Sequence, residues 1–273
     1  ILLTCNPSKS WVYNIFYKPH KENKLPIYRK FIQSLVDDNK HVSKHYKEQL
    51  EKLDYISKQR LLYGNWEYDD TDDKLIDYNA ILSAFDNTHI LEGTKYITAD
   101  IARFGKDKTV IVYWCGLRAE QFVVMSSNSV TQAADQIRKL QTMYNVKLSN
   151  IIVDDDGVGG GVRDILRCVG FVNNSAAIKK QNYQNLKTQC YYTLAEYINK
   201  SAIYLNTIDI TTRNSIIQEL EQVRRKNFDK DTKLQLVGKD EVKLAIGRSP
   251  DYSDAIMMRM FYELKATGKY FIH

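Results

Sequence analysis

The sequence has no apolar run near the roughly 20 residues that a membrane-spanning helix requires, so no membrane partner is expected. Cysteine is scarce. Cys5, Cys115, Cys168 and Cys190 stand apart with no C-x-x-C pair, which argues against a disulfide framework and for a reducing cytosol. The lack of clustered histidine or cysteine disfavours zinc. No internal repeat is visible, and the pattern G-x-x-x-x-G-K-[ST] is absent, so these residues alone are not expected to hydrolyse ATP. A formal charge of +6 over 273 residues is compatible with a polyanionic partner but far from histone-like, and 44% apolar content suits a soluble globular chain.

What is present centres on Lys95 to Val112. An apolar strand runs into Asp100, a turn follows at Phe104-Gly105-Lys106-Asp107, and β-branched residues from Thr109 to Val112 form a second strand. A carboxylate in an apolar strand costs several kcal/mol to desolvate unless a cation compensates it. Asp100 therefore demands a partner, whereas Asp107 reads as an exposed turn residue.

Residues 1 to 90 read as the tail of one unit and a connector. Ile1 to Cys5 resembles a core strand with nothing before it, which leads us to expect that a larger N-terminal region precedes this sequence. A strand-like Tyr28 to Leu35, a helix over Ser43 to Leu62 ending at Gly64, and an acidic linker from Asp69 to Asp73 complete this part. From about 91 to 273, strands and helices alternate. Strands are expected at 120–125, 150–154 and 171–178, and helices at 131–144, 162–168, 186–198 and 211–225. A hairpin through Gly238 spans 234–245, and a closing helix spans 249–264 with Ser249 as N-cap and Pro250 at its first position. Together these predict an α/β layer fold with a mixed sheet flanked by helices.

Asp154 ends the short apolar strand Ile151-Ile-Val, followed by Asp155, Asp156 and a glycine-rich turn. A solvated acidic turn accounts for Asp155 and Asp156 better than for Asp154. Asp251 suits the first turn of the closing helix by its favourable interaction with the helix dipole. Asp254 shares a face with Met258 and Phe261 and so points inward. Three inward acids, spaced 54 and then 100 residues apart, make a candidate hard-cation site for Mg²⁺ or Mn²⁺. Two such ions support phosphodiester cleavage.

These residues carry a resemblance. Tyr96-Ile-Thr-Ala-Asp100-Ile-Ala-Arg-Phe-Gly-Lys-Asp-Lys-Thr, Ile-Ile-Val-Asp154-Asp-Asp-Gly-Val-Gly-Gly-Gly-Val and Gly247-Arg-Ser-Pro-Asp-Tyr-Ser-Asp254-Ala resemble, in order, the three acidic motifs of the large terminase subunit nuclease domain of tailed bacteriophages. Leu3-Thr4-Cys5-Asn6-Pro7 and Leu61-Leu62-Tyr63-Gly64-Asn65-Trp66 are similar to segments late in that family's ATPase domain. The resemblance implies a ribonuclease H-like fold over 91–273, preceded by an ATPase-domain remnant over 1–90. It also implies metal-dependent cutting of concatemeric double-stranded DNA during genome packaging, with Asp100, Asp154 and Asp254 as metal ligands and catalytic residues. Asp155 is the alternative second ligand. ATP would be used only in the missing N-terminal domain. The portal protein and small terminase subunit are implied partners, in the host cytoplasm and transiently at the procapsid portal.

From Arg224 to Arg248, eight basic residues stand against four acidic ones. An ordinary charged hairpin explains this as well as a phosphate-contacting surface does, for which Lys239, Lys243, Arg248 and Arg103 are the candidates. A dinucleotide site is disfavoured, because Gly157-Val-Gly159-Gly160-Gly161-Val162 fails G-x-G-x-x-G and the adjacent acids would repel a pyrophosphate. The stronger rival is a non-catalytic DNA-binding or scaffold module of the same fold. It predicts that the three acids are dispersed or paired with Lys or Arg.

Overall fold

The structure is a computed structural model and describes residues 2–7, 11–51, 55–67, 73–102, 107–226 and 232–266. The chain divides into two units, Ile1–Asp72 and Asp73–His273. Among the described residues, no helix is long and apolar enough to cross a membrane.

The first unit is built from short helices. A π-helical stretch Tyr13–Tyr17 runs into α1 (Lys18–Lys21), and α2 (Lys44–Glu51) and α3 (Tyr55–Leu61) stand where one helix was expected. Its small core centres on buried Trp66, which stacks on Tyr17 at 5.2 Å and meets Phe31 edge-on at 5.6 Å. Gly64 takes φ +60° just past α3, as its helix-ending role requires. The strands expected at the start of the chain and over 28–35 do not form. Leu2, Leu3, Tyr28 and Ile32 are exposed instead. β propensity describes fit to a neighbouring strand, and this unit holds none among its described residues.

The second unit opens with α4 (Tyr78–Ser83) and continues with β1 (Lys95–Asp100), β2 (Lys108–Cys115) and β3 (Arg118–Ser126) in antiparallel meander. Then follow α5 (Val130–Tyr144), β4 (Ile151–Asp154), α6 (Gly159–Leu166), β5 (Val169–Phe171), α7 (Leu186–Asn199), β6 (Tyr204–Leu205) and α8 (Ile210–Leu220). A two-stranded ribbon, β7 (Arg225–Lys226) with β8 (Gln235–Leu236), leads to α9 (Lys239–Ile246), α10 (Asp251–Met257) and α11 (Met260–Ala266). The main sheet has the order β5-β4-β1-β2-β3-β6, with β4 and β5 parallel to β1 and β6 parallel to β3. This is the mixed sheet the sequence predicted. Its unit begins at Asp73 because α4 packs on α7 and α8 and Leu75 N–H donates to Val223 O at 3.1 Å.

Side-chain alternation divides the sheet into two faces. Ile97, Ala99, Ile111, Tyr113, Ile151 and Val153 form one apolar layer with α5 and α6. Thr98 and Asp100 lie on the other face, with Val112 and Val110 opposite them on β2. Thr98 accepts a 3.0 Å bond from Trp114 Nε1, and α10 packs on this side across β1 and β2. Every residue of α10 is buried.

Three local expectations change. The strand after residue 169 stops at Phe171. Gly238 caps helix α9 rather than turning a hairpin, and the hairpin partner of β8 is β7. The closing helix is split into α10 and α11 and has Pro250 at its N-cap position, and the buried Ser249 hydroxyl has no hydrogen-bond partner among the described residues.

Gly159 fixes the turn after β4. A Cβ there would lie 1.6 Å from Asp154 O, so only glycine lets α6 start this close to the strand end. Gly159→Ala is expected to lower unfolding free energy by about 3 kcal/mol through forced backbone displacement, measured by urea denaturation.

Candidate active site

Register brings the first two acids together. Ala99 pairs with Val153 on neighbouring parallel strands, so Asp100 and Asp154 follow at the same sheet edge. By the two-residue alternation both belong to the face that α10 covers. α10 then delivers Asp251 and Asp254 to that side, each about 5% exposed.

Asp100 is 7% exposed, and among the described residues its carboxylate accepts no hydrogen bond and forms no ion pair. Burial drives its pKa well above the usual carboxylate range, reinforced by the negative charges of Asp254, Asp251 and Asp154, while Lys239 pulls the other way. Asp154 is partly buried and is also raised, first by burial. It accepts from Asn173 Nδ2 at 3.0 Å and Asp156 N–H at 3.3 Å. Asp251 is raised by burial although Lys108 N–H donates to it at 2.8 Å.

Asp254 is the exception. Burial alone would raise it, but Lys187 and Lys239 hold it below the usual range, with the Tyr191 hydroxyl assisting. Lys187 Nζ lies 2.7 Å from Oδ1, Tyr191 OH donates to the same oxygen at 2.7 Å, and Lys239 Nζ is 3.5 Å from Oδ2. Burial works to lower Lys239, yet the charges of Asp254, Asp100, Asp251 and Asp154 outweigh it and hold the ammonium above its ordinary range. One lysine thus feels all four acids. A cavity of about 260 Å³ opens beside Asp254, lined also by Lys187, Tyr191, Glu219, Lys239 and Ser253.

Not every sequence candidate enters this group. Asp155 turns to Arg163 and packs under Gly170, where a Cβ would meet its Oδ2 at 2.5 Å. Arg248 is committed inside the protein, donating to Glu219, to Ser215 O at 3.1 Å and to Ser249 O at 3.2 Å. Glu219 in turn accepts from Ser253 N–H at 2.7 Å, so this buried pair fastens the start of α10 and with it Asp254. Lys243 lies 3.5 Å from Asp107, giving that turn residue a partner. Arg103 lies outside the described residues, as does the turn at 104–106.

Sequence reasoning missed Lys187 and Tyr191. Both lie with Leu194 on one stripe of α7, at successive spacings of four and three residues, so a lysine on a largely apolar face was the available signal.

In the observed side-chain positions, no three of the described acidic, histidine or cysteine side chains converge as metal ligands. The chemistry nonetheless fits. The donors are carboxylate oxygens suited to a hard cation, and Asp100 is buried with no hydrogen bond or ion pair among the described residues, the charge of Lys239 only partly offsetting the acids around it.

No family model matches the chain, and no curated protein does either. Solved structures do. The nuclease domain of the large terminase subunit gp2 of bacterial virus Sf6 aligns with a TM-score of 0.61 and 20% identity, covering 68% of this chain and 98% of that one. A mutant of that domain with manganese and beta-thujaplicinol gives the same values. A mutant gp2c of the large terminase subunit from the same phage, with calcium, gives 0.60 and 20% over the same shares. The chain therefore has the ribonuclease H-like fold of the large terminase nuclease domain.

Proposed function

We propose that this chain is a metal-dependent endonuclease that cuts concatemeric double-stranded DNA during viral genome packaging. The observation that carries the reading is Asp100, a buried carboxylate with no hydrogen bond or ion pair among the described residues, beside Asp154 by strand register and facing α10 with Asp254. Asp100, Asp154 and Asp254 would hold Mg²⁺ or Mn²⁺, two ions in the full site, with Asp251 close by. Bound there, the metal would supply Lewis-acid charge to a scissile phosphate and lower the pKa of an attacking water. The protein's own residues bind and orient. Lys239, beside the acids, would hold a phosphate oxygen, and Lys243 on the next turn of α9 would extend that contact along the backbone. Arg103 keeps its proposed phosphate contact on sequence grounds, whereas Arg248 is better used fastening α10. Cutting would take place in the host cytoplasm, at the portal and with the small terminase subunit.

Incubation of the purified chain with supercoiled plasmid tests this. Nicked and linear products are expected with Mn²⁺ or Mg²⁺ and none with a chelator. Cutting that survives chelation, or no cutting with either metal, contradicts the reading. A second reading, a non-catalytic DNA-binding module, draws support from the two lysines on Asp254 and predicts DNA retention without cleavage under every metal condition.

A further inference from the structure

The two lysines on Asp254 are not equivalent. Lys239 stands 3.5 Å from Oδ2 and its charge acts on all four acids, whereas Lys187 makes a direct 2.7 Å ion pair with Oδ1. Oδ1 also receives the Tyr191 hydroxyl at 2.7 Å, so that oxygen carries two donors at contact distance. It cannot bind a cation while both remain.

The surroundings of Lys187 show how it could leave. Its backbone is fixed in the first turn of α7, where Asn185 Oδ1 accepts from Thr188 N–H at 2.9 Å. Its side chain keeps 23% exposure and lines the cavity of about 260 Å³. That cavity is also lined by Asn174, Gln184 and Gln222, whose amide groups carry oxygens able to accept from an ammonium. Its walls are otherwise largely apolar, from Val223, Leu236, Val237 and Val242, so these amides are the groups that could receive a displaced ammonium.

We infer that Lys187 is a positioning residue that competes with the divalent cation for Asp254 Oδ1, so that it sets cation affinity. This rests on the nuclease reading above and adds a determinant of metal affinity to it. Lys187 orients Asp254 and keeps the buried carboxylate compensated until the ion arrives. A positive charge held within a few ångströms of the ligand oxygen opposes the binding of a second cation there.

Mn²⁺ titration followed by electron paramagnetic resonance, on the wild type, Lys187→Met, Lys187→Gln and Lys187→Arg, tests the exchange without reference to cleavage. Removing the ammonium is expected to tighten Mn²⁺ binding about tenfold while lowering the melting temperature in chelator, because Asp254 loses its closest cation. Arginine at 187 should restore both values toward wild type, which loss of packing alone would not predict. If Lys187→Met fails to fold, Lys187→Gln gives the reading, since it keeps a hydrogen-bond donor without charge. Unchanged or weaker Mn²⁺ binding in the folded neutral variants overturns the inference alone, provided the wild type binds Mn²⁺ and cuts plasmid. Absence of Mn²⁺ binding in the wild type overturns both the inference and the nuclease reading.

Discussion

Asp100→Asn is expected to reduce plasmid cleavage by a factor on the order of 10³, the scale on which a single electrostatic group at a transition state acts. It should do so without loss of stability. The wild-type carboxylate is buried, lacks a hydrogen bond among the described residues and faces three other acids, so its charged form is disfavoured where it stands. The amide has nearly the same shape and no charge. Its melting temperature in chelator should equal or exceed that of the wild type, while Mn²⁺ affinity falls. This pairing separates a functional acid from a structural one. A variant that melts lower and still cuts would mean that Asp100 serves the fold and that the metal lies elsewhere.

Arg248→Met should produce the largest loss of stability among single changes near the site, about 3–5 kcal/mol, because it leaves a buried carboxylate without its cation. Glu219 is 1% exposed, and burial pushes its carboxyl up to about 8 even with the Arg248 guanidinium pulling it down. Without Arg248 the group loses the interaction that opposes the effect of burial and takes up a proton more readily, which weakens its acceptance from Ser253 N–H. Adding Glu219→Gln to Arg248→Met should recover most of the loss, since a neutral amide still offers an oxygen to Ser253. Urea denaturation of the two single variants and the double variant decides it. Simple additivity of the two losses would mean that the residues do not act as a pair.

The sheet and its acids were legible because alternation is a property of the chain itself. Isoleucine, valine and alanine on one side of 95–100 and 151–154 put Asp100 and Asp154 on the other, and strand pairing needed only to align their ends. Helix α9 was not legible for the same reason in reverse. Val242, Leu244 and Ile246 alternate like a strand, but only Val242 is buried and Leu244 is 87% exposed, so the helix accepts an apolar side chain in solvent. Lys187 and Glu219 were hidden because charge reads as surface, whereas packing of α7 and α8 against α10 makes both internal partners of one site. Asp251 had a sufficient local explanation in the helix dipole, and its burial beside the other acids is a tertiary fact.

The pairing of Ala99 with Val153 also limits how this protein can change length. A strand advances about 3.3 Å per residue and reverses its outward direction at every step. One residue inserted in β4 ahead of Asp154 would turn the carboxylate into the apolar layer beneath α5 and α6. Two would restore its direction but carry it roughly 6.6 Å past its neighbour. Neither parity nor distance can be satisfied together, so variation in length is confined to the connections, and the spacing of these acids is held by the geometry of the sheet.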